Sequence, residues 1–166
     1  MTGLGISEEI HRSVLLEECM EFLQPSPGGI YVDGTLGLGG HSGEILRRSS
    51  PGGKVIAFEW DEDALSRSTE RLRQYADRLH IVRRNFAELA VGLDEVGVQA
   101  IDGLLIDIGL SSLQLDMGER GFSFQRDELL DMRMDKRNPN TARALLASCS
   151  EQELADIFFY YGEEHQ

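Results

Sequence analysis

The stretch Ile30–Ser42, IYVDGTLGLGGHS, decides how the chain is read. Its apolar run, Ile30, Tyr31 and Val32, predicts a buried strand that ends at Asp33. Glycines follow at 34, 37, 39 and 40, and a helical pattern begins near His41 and runs through Ile45 and Leu46. Strand, glycine turn and helix together bring backbone N–H groups up to a ligand, because glycine permits positive φ and puts no side chain in the way. Such a corner belongs to the nucleotide-binding edge of an α/β sheet.

The glycines alone do not choose the nucleotide. A dinucleotide fingerprint needs G-x-G-x-x-G, and here Ser42 stands where the third glycine would be. A carboxylate at Asp33 would repel a pyrophosphate and suit a cationic ligand without phosphate. S-adenosyl-L-methionine, with its sulfonium and ammonium groups, has that chemistry. Asp33 and Ser42 therefore disfavour an NAD-binding domain, although an ordinary glycine-rich turn with an Asp near the helix start would look the same in isolation.

Outward from this stretch, the pattern alternates. Ser13 reads as the N-cap of an amphipathic helix ending before Pro25, and residues 1–12, with His11 and Arg12, read as a lead-in. Strands are expected at Lys54–Phe58, His80–Arg83 and Asp102–Ile108, with helices at 41–49, from Glu62 to Tyr75 and, weakly, after Phe86. Strands alternating with helices at this spacing predict parallel βαβ units. From Gly109 the periodicity disappears for about thirty residues, and a loop that long inside a domain points to function. Helices are expected again at Thr141–Ala147 and Ser150–Tyr161, the second opened by the capping box Ser150–Glu153.

Composition sets limits. The chain has 166 residues, enough for one domain with a real core and part of another. With 16 basic and 29 acidic residues the net charge is −13, so an RNA partner would have to meet a local basic patch. Cys19 and Cys149 have no metal-ligand spacing, and no metal is expected. With no signal pattern and no membrane-spanning apolar run, a cytoplasmic protein away from membranes is expected.

Ligands of open parallel sheets bind beyond the carboxyl ends of the strands. Asp33 with the Gly37–His41 loop, Glu59, Asn85–Phe86 and Asp107 fall at four successive strand ends. Glu59 is placed to accept hydrogen bonds from ribose hydroxyls and Phe86 to lie against an adenine, while Ser111, Ser112 and Gln114 follow the last strand. Each residue alone fits core or solvated surface; their joint occurrence is the signal.

DGTLGLGGHS, NF, LLIDIGLSSLQLD, ERGFSF and LDMRMD, in this order, resemble the MraW/RsmH family, with Ser111–Asp135 the most specific block. The resemblance runs from about His11 to Glu164. It implies a Rossmann-like methyltransferase fold with strand order 3-2-1-4. It also implies S-adenosyl-L-methionine as cofactor and, as reaction, methylation of the exocyclic N4 amine of a cytidine in small-subunit ribosomal RNA. The cofactor contacts it implies are Gly39, Gly40 and His41 with Glu59, Phe86, Asp107 and Gln114, to which Asp33 and Gly37 are added from the loop itself. Glu59 departs from the family's usual Asp, and family members continue past the YGEE at Tyr161–Glu164.

On this reading residues 1–112 are the N-terminal part of the methyltransferase domain, and 113–166 begin an inserted, mainly helical recognition domain. Asp107 either accepts an N–H of the target amine or serves the cofactor. Phe122 and Phe124 could stack on bases, and Arg120, Arg126, Arg133, Lys136 and Arg137 could meet phosphates. Strand 102–108, apolar and without lysine or proline, would be an unprotected edge able to pair with a second copy. The competing readings are a cofactor- or RNA-binding module without turnover, and a methyltransferase for a small molecule or protein.

Overall fold

The structure, a computed structural model, describes residues 13–164, so the lead-in expected at 1–12 lies outside the described residues. The chain divides into two compact units, Met1–Gly109 and Leu110–Gln166, three residues earlier than the boundary read from sequence.

The first unit is a parallel sheet of β1 (Ile30–Asp33), β2 (Lys54–Phe58), β3 (Leu79–Val82) and β4 (Gly103–Leu105), in the order β3-β2-β1-β4. Val32 lies level with Ile56 and Leu104, and Ile56 with His80. Alternate side chains point to opposite faces of a strand, and both faces are covered. On one, Tyr31, Val55 and Ala57 pack with Met20 of α1 (Leu16–Leu23) and with Ile45 and Leu46 of α2 (Gly40–Arg48). On the other, Val32, Ile56, Phe58 and Val82 pack with Leu89 and Leu93 of α4 (Leu89–Glu95). The remaining helix, α3 (Glu62–Arg71), is capped by Asp61, whose side chain accepts the Asp63 N–H. Two buried faces explain why the strands read as continuous apolar runs. The architecture is the expected α/β, Rossmann-like sheet.

Two expected boundaries are corrected. Ser13 does not cap α1; the residue before that helix is Leu15, in the left-handed region at φ 49, and the Ser13 hydroxyl lies instead against Gly40. Strand β4 stops at Leu105 rather than Ile108. Its partner is the cause: β1 ends at Asp33, the Gly34 N–H donates to the Leu105 carbonyl at 2.8 Å, and the β1 chain then turns into the loop. Ile106, Asp107 and Ile108 leave the sheet exposed.

The second unit holds α5 (Ser112–Asp116), α6 (Ala142–Ser148) and α7 (Glu151–Tyr161). Each has a side-chain N-cap, from Ser111, Thr141 and Ser150, and the first and last are full capping boxes with Gln114 and Glu153. Helix α5 falls where no periodicity was legible; its Ser-x-x-Gln box was the available signal. Residues 117–141 carry no helix or strand. They are cross-tied, with the Met132 N–H donating to the Arg120 carbonyl and the Arg120 guanidinium to the Arg133 carbonyl at 3.0 Å. Among the described residues no helix is long and apolar enough to cross a membrane, and no His, Cys, Asp or Glu cluster is placed to hold a metal.

Candidate functional site

The glycine loop is held from below by Asp33. That carboxylate is fully buried, accepting the Ser42 hydroxyl at 2.6 Å and the Thr35 N–H at 3.0 Å. Burial pushes its carboxyl above the ordinary range, against the two hydrogen bonds and His41, which favour the ionised form. The expected role is thereby corrected: Asp33 braces the loop from inside and presents no open carboxylate to a ligand.

Above it, Gly37 and Gly39 take φ of 52 and 79, values that a side chain would strain. A Cβ at Gly39 would stand 2.7 Å from Leu72, so the loop lies flat on the end of α3 there. A Cβ at Gly37 would meet nothing nearer than the Thr35 carbonyl at 3.9 Å, so the loop is open on that side. The Arg71 guanidinium donates to the Leu38 carbonyl and fixes the outer turn. Helix α2 then starts at Gly40 behind a glycine N-cap, with no capping side chain and no acidic residue in its first turn. An uncapped first turn suits an anionic group of a ligand.

His41 contributes differently from expectation. Its ring is buried, and Nε2 lies 3.0 Å from the Val14 carbonyl. A carbonyl only accepts, so Nε2 carries the hydrogen. The ring pins residues before α1 beside the loop, and only the His41 backbone is left to face a ligand.

Glu59, at the end of β2, is largely buried and already engaged. One carboxylate oxygen accepts the Trp60 and Asp61 N–H groups and the other accepts the Gly37 N–H, each at 2.9 Å. Burial pushes this carboxyl up as well, while those three N–H groups pull it down. A carboxylate offers about four lone-pair positions, so three donors leave room for about one more on the oxygen that Gly37 uses. The residue fits one ribose hydroxyl, where the sequence suggested both.

The ends of β3 and β4 meet β1 at Gly34. A Cβ there would stand 3.0 Å from Ile106 and 3.2 Å from the Cβ of Phe86, so both residues converge on the same glycine. Asn85 caps the 3-10 turn that starts at Phe86 by accepting the Ala87 N–H. Asp107 follows Ile106, exposed, with its N–H donating to the Thr35 hydroxyl at 2.7 Å. Asp33, Gly37, Gly39, Gly40, His41, Glu59, Phe86 and Asp107 thus share one end of one sheet.

The remaining expected residues belong to the second unit. Gln114 is committed to its capping box, accepting the Ser111 N–H. Arg120 is buried, bonded to backbone carbonyls, and lies over the Phe122 ring at 5.8 Å. Arg133 and Arg137 each grip the carboxylate two residues earlier, Asp131 and Asp135. Arg126 reaches the Asp116 carbonyl, and Lys136 is exposed. Phe124 is fully exposed. Of the seven cationic and aromatic candidates expected to face RNA, Arg120 is thus a structural tie, and Phe124 is the aromatic ring with an open face.

Sequence reasoning missed Thr35, Arg71 and the close approach at Gly34. A glycine at a strand end signals such an approach, whereas nothing local marks an arginine thirty-three residues from the carbonyl that it holds.

The model of the MraW methylase family matches residues 8–166. The ribosomal RNA small subunit methyltransferase H of Desulfotalea psychrophila is 66% identical over 160 residues, which cover 96% of this chain and 54% of that one. Its namesake from Geotalea uraniireducens is 51% identical over 159 residues, 96% of this chain and 51% of that one. The chain spans about half the length of the curated relatives it matches. Among solved structures, a SAM-dependent O-methyltransferase from Thermotoga maritima aligns with a TM-score of 0.46 and 22% identity over 56% of this chain and 34% of that one. With the family model matching nearly its full length, the chain belongs to the MraW methylase family.

Proposed function

We propose that the sheet end around Gly37 binds S-adenosyl-L-methionine, and that the chain is part of an enzyme that methylates the N4 amine of a cytidine in small-subunit ribosomal RNA. The observation that carries this reading is the convergence of an open glycine loop, an acceptor at Glu59, Phe86 and Asp107 on one sheet end of a MraW-family chain. The first turn of α2 suits the cofactor's carboxylate. Glu59 suits one ribose hydroxyl and the Phe86 ring the adenine.

The bound cofactor would supply a methyl group activated on a sulfonium, and the protein's part is mainly to align it with the incoming amine. Asp107 is exposed, so its carboxylate can accept an N–H of that amine or hold the cofactor. The target base has to be unstacked to reach such a site. Phe124 offers a stacking face, and Lys136, Arg133 and Arg137 offer positive charge, the two arginines beside Asp131 and Asp135. The setting is the cytoplasm. A homodimer through residues 102–108 is supported by the exposed Leu104 and Ile106 at the sheet's β4 edge.

Because the chain spans about half of its relatives' length, a cofactor-binding module without turnover is the second reading. Methyl-labelled cofactor incubated with small ribosomal subunits separates the two. Label recovered as N4-methylcytidine supports the enzyme. Cofactor binding without label supports the module, and absence of binding overturns both.

A further inference from the structure

We infer that Thr35 is a positioning residue for Asp107, its hydroxyl holding the Asp107 N–H just beyond the point where the β1–β4 ladder ends. The inference rests on the cofactor reading above, which gives Asp107 its importance. The ladder between β1 and β4 ends at the bond from the Gly34 N–H to the Leu105 carbonyl. Beyond it β1 turns into the glycine loop, and the β4 chain leaves the ladder, so the Asp107 N–H is met by a side chain instead of a strand carbonyl. The Thr35 Oγ1 takes that bond at 2.7 Å. The Thr35 backbone is in turn fixed by its N–H to the buried Asp33 carboxylate, which also holds Ser42 at the start of α2.

The rest of the segment is held by Ile106, which seats against Gly34. Ile106 is 40% exposed and Ile108 is 79% exposed, and strand pairing has already ended. The Thr35 hydroxyl therefore fixes the backbone from which the Asp107 carboxylate extends. The line Ser42–Asp33–Thr35–Asp107 ties the helix end that suits an anionic group to the backbone of Asp107 beyond β4.

Valine has threonine's shape without its acceptor, and serine keeps the acceptor without the methyl. Binding of S-adenosylhomocysteine to the 166-residue chain is measured by calorimetry for the wild type, Thr35→Val, Thr35→Ser and both threonine changes in an Asp107→Ala background. Thr35→Val should weaken binding about fivefold, the scale of one lost hydrogen bond, and Thr35→Ser should restore it. In the Asp107→Ala background Thr35→Val should cost nothing further, since the carboxylate it positions is gone. Equal binding by Thr35→Val and wild type, no rescue by serine, or the same loss in both backgrounds would overturn the inference. Amide exchange gives a reading independent of ligand. Thr35→Val should speed exchange at Asp107 and leave Gly34 unchanged; an unchanged Asp107 overturns the tie. If the wild type itself does not bind, the cofactor reading is what fails, and the exchange result still decides the role of Thr35.

Discussion

In the unit ending at Gly109, each of the four strands adds residues to buried clusters on the sheet's two faces, and Val32, Val55, Ala57 and Phe58 are wholly buried. In the unit beginning at Leu110, α6 and α7 bury no residue, and Phe158, Phe159, Tyr160 and Tyr161 are all exposed. The first unit is held by apolar area removed from water, which is non-directional and shared by many residues. The second is held by caps, ion pairs and a few cross-ties within residues 117–141, each of them local. One consequence is that a substitution in the first unit should be felt cooperatively, whereas one in the second should act where it is made.

The sharpest test of that contrast is Phe58→Ala. The ring is fully buried between β1, β3 and α4, and Gly92 has no side chain because the ring occupies that space. The substitution should cost about 3–5 kcal/mol, read by chemical denaturation with the neighbouring Trp60, the single tryptophan, as fluorophore. A loss below about 1 kcal/mol would deny the first unit its common core.

Gly121→Ala is the counterpart in the second unit. Gly121 has φ 70, and a Cβ would stand 2.5 Å from the Leu129 carbonyl and 2.8 Å from the Asp131 nitrogen, both backbone atoms. About 1–3 kcal/mol of local stability should be lost. Amide exchange should quicken at Met132 and leave Val32 and Val55 unaffected; equal quickening in both units would erase the distinction.

Much of the first unit was legible because buried parallel strands write themselves as apolar runs: β2 was read at Lys54–Phe58, where it is found. The extent of β4 was not legible, since it is set by where its partner β1 stops and not by Ile106 or Ile108 themselves. The same holds in the site. The strand-end positions of Asp33, Glu59 and Asp107 followed from spacing. That Asp33 is sealed under the loop and that Glu59 already holds Gly37 depend on loop geometry that no local pattern encodes. In the second unit, the pairing of Arg133 with Asp131 turned an expected phosphate contact into a structural pair.

A smaller effect is expected at the β4 edge. Ile106→Lys places a charge on the exposed apolar edge and should weaken self-association about tenfold in sedimentation equilibrium, as charges protect natural edges. A wild type that is monomeric at high concentration would contradict the pairing.

The smallest effect concerns Glu44, which Arg47 and Arg48 hold down to about 2 from its ordinary 4.5. Because its folded value lies below its unfolded one, the stabilisation is present above about pH 4.5 and is lost as pH falls toward 2. Glu44→Gln should therefore lower Tm slightly at pH 7, by the equivalent of about 0.5 kcal/mol for such surface pairs. The gap should close in acid; one that widens in acid would reverse the assigned sign.

The claim on which the account rests is that the Gly37 loop and Glu59 form the cofactor site, and calorimetric titration of S-adenosyl-L-methionine into wild type and Glu59→Ala tests it most directly. The wild type should bind one equivalent and change the emission of Trp60, which adjoins Glu59. Glu59→Ala should lose about 1–3 kcal/mol, since both the ligand hydroxyl and the Gly37 N–H lose their acceptor. Binding of undiminished strength in Glu59→Ala, or no binding by the wild type, would contradict it.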